Sequence, residues 1–132
     1  MYTTLTYSLE KEGNREAIEY FKVREFASKD GDDLVRISPA LLDILHSIRK
    51  HFNAPVIITS GYRTKSHNKK VGGAKKSTHM VGIAADIVVK GVTPAKVAAY
   101  ANTLLQESGG IGEYRNFVHI DVRHEKSRWR GI

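Results

Sequence analysis

Two histidines and one aspartate are the residues of this chain best suited to chemistry. His79 and Asp86 share the phrase Ser77-Thr78-His79-Met80-Val81-Gly82-Ile83-Ala84-Ala85-Asp86, and His119 lies in Phe117-Val118-His119-Ile120-Asp121. Two neutral imidazoles and a carboxylate form the mixed N/O set that holds a catalytic zinc while leaving one position open for water. The chemistry expected of such a set is metal-assisted hydrolysis. The chain contains no cysteine. Thiolate zinc sites, disulfides and a cysteine nucleophile are therefore excluded, and any metal must be held by histidine and carboxylate.

Three further residues could join this set. Arg63, in Ser60-Gly61-Tyr62-Arg63-Thr64, closely follows a β-branched run. From there its planar fork could reach over the site and match a carboxylate or carbonyl. The plainer alternative is a loop arginine bonded to nearby backbone. Asp121 follows His119 by two residues and so shares its strand face. It either takes a proton from water at the metal or orients a ligand imidazole from behind. Glu113, six residues before His119, could swing in from an adjoining strand, or be an ordinary exposed strand carboxylate. The other histidines, His46, His51, His67 and His124, have no comparable setting, and the first two are expected on the exposed side of a helix.

The elements that must position these residues are legible in part. Residues 1–20 are polar and weakly patterned and read as an N-terminal arm. Phe21 and Val23 alternate with polar neighbours, Asp30-Gly31 marks a turn, and Leu34-Val35-Arg36-Ile37 is a short extended piece. Ser38-Pro39 combines an N-cap with proline at the first helical position, and Leu41, Leu42, Leu45, Ile48 and Phe52 follow as one apolar stripe. Val56–Thr59 is a β-branched strand. Residues 61–79 read as a long functional loop with one short helix near Ser66–Val71. Ala84–Val89 is a second buried strand, with Gly82 allowing a bend between His79 and Asp86. Thr93-Pro94 starts a helix to about Gln106. Two tightly joined strands follow, around Ile111–Tyr114 and Phe117–Val122. The sum is an α+β fold, a small antiparallel sheet with helices packed mainly on one face.

Bulk properties set outer bounds. With 132 residues, 41% hydrophobic and 27% charged, the chain has the length for one core. No apolar run approaches the roughly 20 residues that span a bilayer, so no membrane insertion is expected. Met1-Tyr2-Thr3-Thr4-Leu5 lacks the basic start and apolar stretch of a secretory signal. The net charge of +7 keeps a surface solvated and attracts anionic polymers. Specific nucleic-acid recognition is not expected, because aromatic interleaving and a known reading motif are both missing.

Taken together, Ser60-Gly61-Tyr62-Arg63-Thr64, Asn68, Val71-Gly72-Gly73-Ala74, the Ser77-to-Ile87 phrase and Phe117-x-His119-x-Asp121-Val122-Arg123 resemble the zinc D-Ala-D-Ala carboxypeptidase family. The nearest likeness is to its short single-domain peptidases of phages and bacteria, over about Phe21 to Trp129. The resemblance implies the fold shared by D,D-carboxypeptidases, bacterial cell-wall endopeptidases and the Hedgehog signalling domain. It implies that His79, Asp86 and His119 bind zinc, that Arg63 polarises the scissile carbonyl or holds a substrate carboxylate, and that Ser77 hydrogen-bonds within the site. Tyr62, beside Arg63, is taken with Arg63 and Ser77 as substrate-binding.

Several relatives carry a glutamate base three residues before the last histidine, where this chain has Asn116. Asp121 is then the first choice for the base and Glu113 the second. The expected organisation is an arm over 1–20 and a zinc peptidase domain over 21–132. The expected protein is a monomeric, zinc-dependent peptidase that cuts peptidoglycan stem peptides beside D-amino acids, as carboxypeptidase or endopeptidase. It would be drawn to anionic wall polymers, made in the cytoplasm from a phage or prophage gene, and released to the wall. The rival reading, favoured by Asn116, is a zinc-containing wall-binding or protein-binding module with little catalytic activity.

Overall fold

The computed structural model describes residues 2–132, and Met1, the first residue of the expected arm, lies outside them. The chain opens with β1 (Leu5–Ser8), the one-turn helix α1 (Leu9–Glu12), β2 (Glu16–Ile18), β3 (Phe21–Lys22) and β4 (Leu34–Ile37). β1 runs antiparallel to β4 with Tyr7 opposite Val35, and β2 runs antiparallel to β3. Just before β4, Asp33 fastens the junction of β1 and α1 by accepting from the Ser8 hydroxyl at 2.9 Å and the Glu10 amide at 2.8 Å. Most of the described residues of the arm expected over 1–20 are strand and helix, and β1 is paired with β4. Its strands are only three or four residues long. Such pieces are too short for a two-residue period to stand out, and the partner of β1 lies far along the chain.

The two long helices follow the written signals. Ser38 caps α2 (Pro39–Phe52) by accepting from the Leu41 amide at 3.2 Å, and Thr93 caps α4 (Pro94–Leu105) in the same way. α2 ends at Asn53, whose φ of +48° gives the left-handed turn that asparagine tolerates. Between these helices lie β5 (Val56–Ser60), the short helix α3 (Lys65–Lys70), a 3-10 turn over Thr78–Val81 and β6 (Ala84–Val89). β7 (Gly110–Glu113), β8 (Val118–Asp121) and β9 (Ser127–Arg130) complete the chain.

The main sheet has the order β5-β6-β8-β7-β9. Its first four strands pair antiparallel and β9 lies parallel to β7. The α+β architecture with a small antiparallel sheet is as expected, and β9 adds one parallel edge to it. Ser127-Arg128-Trp129-Arg130 has too many charges to read as a strand, and charged residues are what an edge strand tolerates.

Alternation along the strands divides the sheet into two faces. Ala85, Ile87 and Val89 of β6, Ile111 of β7, and Val118 and Ile120 of β8 enter the core with Leu41, Leu45 and Ile48 of α2 and Val97 and Ala101 of α4. The opposite face carries Asp86, His119 and Gly112 in register. Burying one face against helices fixes the strands, and so fixes what the other face presents.

Gly82 sets where the chain enters β6. Its φ is +79°, its carbonyl accepts from the Ser38 amide at 2.9 Å, and an added Cβ would lie 2.7 Å from the Arg36 carbonyl oxygen. Gly82→Ala therefore strains both backbone and packing, and should lower unfolding free energy by about 1–3 kcal/mol. Urea titration of the two proteins measures it, and equal midpoints would show that the turn relaxes freely.

Candidate metal centre and cleft

Pairing of β6 with β8 places Asp86 directly opposite His119, and the 3-10 turn brings His79 against both. The His119 Nδ1 lies 2.9 Å from Asp86 Oδ1, and the His79 Nε2 lies 3.3 Å from the same oxygen. One ligand atom from each of the three residues falls within 4.8 Å of the others. All three side chains are buried.

The partners on the far side of each ring settle its tautomer. His79 Nδ1 lies 2.8 Å from the Gly61 carbonyl oxygen. A carbonyl can only accept, so Nδ1 carries the proton and the Nε2 lone pair faces Asp86. His119 Nε2 lies 2.8 Å from Asp121 Oδ2, which likewise keeps the proton on Nε2 and turns the Nδ1 lone pair inward. Two lone pairs and a carboxylate oxygen then point at one another, an arrangement that calls for a cation among them. Imidazoles held from behind by a carbonyl and a carboxylate are also the pattern that orients metal ligands. The residues fit zinc.

Charge states follow the same geometry. Burial alone would raise the Asp86 carboxyl, but His119 and His79, where a proton occupies the inward nitrogen in place of a metal, outweigh it and hold the group well below the usual carboxylate range. Burial alone would lower the His119 imidazole, but Asp121 and Asp86 outweigh it and raise it above its ordinary value. Without metal, a proton is the cation that joins the donors.

Asp121 is fully buried. It accepts from the Gly110 amide at 3.0 Å and from Arg123 Nε and Nη2 at 2.8 and 2.7 Å, in addition to His119. Burial would raise this carboxyl too, but the Arg123 guanidinium and then His119 hold it well below the usual range. Every side of the carboxylate is thus occupied by a donor.

Arg63 sits on the outer side of Asp86, with Nη2 3.6 Å from Oδ2. Its Nε donates to Ser60 Oγ and its Nη1 to Asn68 Oδ1. Buried Asn68 in turn donates to the Ala74 carbonyl at 2.9 Å, tying the glycine-rich loop to the arginine. Ser77 caps the 3-10 turn, its hydroxyl accepting from the His79 amide at 3.2 Å. Arg63, Ala74 and Ser77 line one cleft of about 470 Å³ with the three donors.

Tyr62 does not line that cleft. It is buried, and its amide donates to the Phe26 carbonyl at 2.9 Å. Glu113 also lies elsewhere. In the β7–β8 hairpin Gly112 faces His119 while Glu113 faces Val118, so the glutamate belongs to the opposite side of the sheet. There it lies 4.0 Å from Arg130 Nε. Asn116, in the turn, is exposed and outside the cleft. What the sequence did not signal is the other wall of the cleft, Tyr114, Phe117 and Trp129. Phe117 could have been found from its spacing of two from His119; Trp129 depends on the unforeseen strand β9.

A model of the peptidase M15 family matches residues 17–121, and the chain belongs to that family. Its members are zinc metallopeptidases, in keeping with the donor set. Among curated proteins, the chain is 32% identical over 107 residues to the probable peptidoglycan L,D-endopeptidase MepK of Haemophilus influenzae, covering 74% of this chain and 56% of that protein. It is 36% identical over 95 residues to the peptidoglycan L,D-endopeptidase MepK of Escherichia coli K12, covering 65% and 51%. The chain spans about half the length of the curated relatives it matches.

Since zinc must displace a proton from His119, its apparent affinity should fall as pH is lowered from about 8 to about 5. The raised imidazole moves the onset of this loss above that of an ordinary histidine. Chelator competition across this range checks it, and a flat profile would argue against His119 as a ligand. Asp121→Asn should weaken zinc binding roughly 10–100-fold through loss of the oriented ring. Unchanged zinc affinity with collapsed turnover would instead identify Asp121 as the base.

Proposed function

We propose that this protein is a zinc-dependent peptidase that hydrolyses peptide bonds of peptidoglycan beside a D-amino acid. The observation that carries this reading is the set of inward lone pairs of His79, Asp86 and His119 on the floor of an open cleft. The names of the relatives support the wall peptide as substrate and an internal bond as the point of attack. An L,D bond also has a D-residue on one side. Cleavage beside a D-residue is therefore compatible with those names, while the D-Ala-D-Ala terminus suggested by the family resemblance draws no support from them.

When bound, zinc supplies a Lewis acid that polarises a carbonyl and makes water acidic enough to act near neutral pH. His79, Asp86 and His119 would hold it. Arg63, already fixed by Ser60 and Asn68, offers a guanidinium edge to the carbonyl oxygen or to a nearby carboxylate as negative charge develops. Asp121 keeps His119 in the required tautomer, and Arg123 with Gly110 keeps Asp121 ionised. Exposed Lys76 on the loop side adds positive charge at the cleft mouth. The overall charge of +7 would favour residence on anionic wall polymers. We place the working protein at the wall, after release from the cell that makes it.

One observation favours the rival, a wall-binding module with slow turnover. Among the described residues lining the cleft, Asp86 is the only carboxylate, so no second one stands ready as proton acceptor.

Digestion of purified peptidoglycan by zinc-loaded protein, followed by mass spectrometry of released fragments, decides between the two. The peptidase reading expects new peptide ends that vanish with chelator or in His79→Ala. It also expects Arg63→Ala to lower kcat roughly 10²–10³-fold with zinc content unchanged. Saturable binding of wall fragments with no cleavage by fully loaded protein would establish the module instead.

A further inference from the structure

We propose that Trp129, Tyr114 and Phe117 form a substrate-binding shelf, the wall on which the peptide lies while it is held at the metal centre. This inference rests on the peptidase reading and deepens it by naming residues that grip the substrate. Trp129 is the only tryptophan of the chain, and it stands outside the apolar core. Its indole lies over Gly112, where an added Cβ would come within 2.5 Å of Nε1 and Cε2. Gly112 is the residue facing His119 across the hairpin. A glycine there lets the indole settle beside the metal ligand, and the two rings are 5.3 Å apart.

The rest of the shelf is locked to this ring. Trp129 Nε1 donates to the Tyr114 hydroxyl at 2.9 Å. Since that oxygen is the acceptor, the tyrosine keeps its own proton for donation to a ligand. The Tyr114 ring lies over Gly131, where a Cβ would meet it at 2.2 Å. Phe117 stacks on Tyr114 with centroids 4.4 Å apart and planes within 7°.

All three rings are only partly buried and all line the cleft. Rings this large are normally used to fill cores. Here three of them are held in fixed positions along an open wall. Such a surface offers apolar area for aliphatic side chains and peptide planes at little conformational cost, because the rings are already ordered.

The lone tryptophan makes the test direct. Metal-free protein is titrated with a soluble disaccharide-tetrapeptide from peptidoglycan, following Trp129 emission and, separately, heat. We expect a saturable emission change with the calorimetric Kd, and at least a tenfold weaker Kd in Phe117→Ala and Tyr114→Ala, with zinc affinity of both variants unchanged. Phe117→Leu and Tyr114→Phe, checked by thermal melting, stand in for any variant that fails to fold and should still weaken binding measurably. Unaltered Kd in folded variants, with the fragment bound and cleaved by the native protein, overturns the shelf and leaves the peptidase reading intact. Failure of the zinc-loaded native protein to bind or cleave any wall fragment overturns both.

Discussion

Opposed lone pairs repel, and the interior of this cleft is built around that repulsion. Asp86 Oδ1 stands 2.9 Å from one imidazole nitrogen and 3.3 Å from another, while Gly61 and Asp121 prevent either ring from turning its proton inward. The fold holds the donors in a state that is unfavourable without a positive charge, and in this way it is prepared for one. Arg63 and Arg123 flank the cluster, but each is committed to a particular carboxylate. Neither can enter the space between the donors.

The force that holds such an arrangement comes from the other side of the sheet. β6 and β8 are fixed by apolar residues facing α2 and α4, and a shift of register by one residue would move those residues into water. The same shift would exchange Asp86 and His119 for core positions. Burial and function are therefore written on alternate residues of the same two strands. His79, which has no strand to fix it, is instead held by the Ser77 cap, the left-handed Gly82 and its own bond to Gly61.

Much of this was readable before any coordinates. The helix caps Ser38-Pro39 and Thr93-Pro94, the β-branched strands and the His79–Asp86–His119 group each have a local chemical signature. The strand within residues 1–20 has no local signature, because Leu5–Ser8 acquires its structure from a partner at Leu34–Ile37, and pairing across that distance leaves no local pattern. Tyr62 and Glu113 lie close in sequence to functional residues, but nearness along the chain does not report the direction of a side chain. Ser127–Arg130 was missed because an edge strand need not be apolar. The aromatic wall was hidden with it, since the place of Trp129 follows from pairing with β7. Asn116, which prompted doubt about catalysis from sequence alone, stands in an exposed turn away from the donors.

The hairpin between β7 and β8 has a consequence for how such sites diversify. Gly112 with His119, and Glu113 with Val118, are paired by the number of residues in the connecting turn. Should β7 take up one added turn residue by shifting against β8, itself held in place by β6, the whole of β7 would turn over and Ile111 would leave the core. A glutamate would then replace a glycine beside the histidine, and the tryptophan would lose its seat. One added residue between Tyr114 and Phe117 would thus trade an aromatic platform for an acidic group without altering any existing side chain.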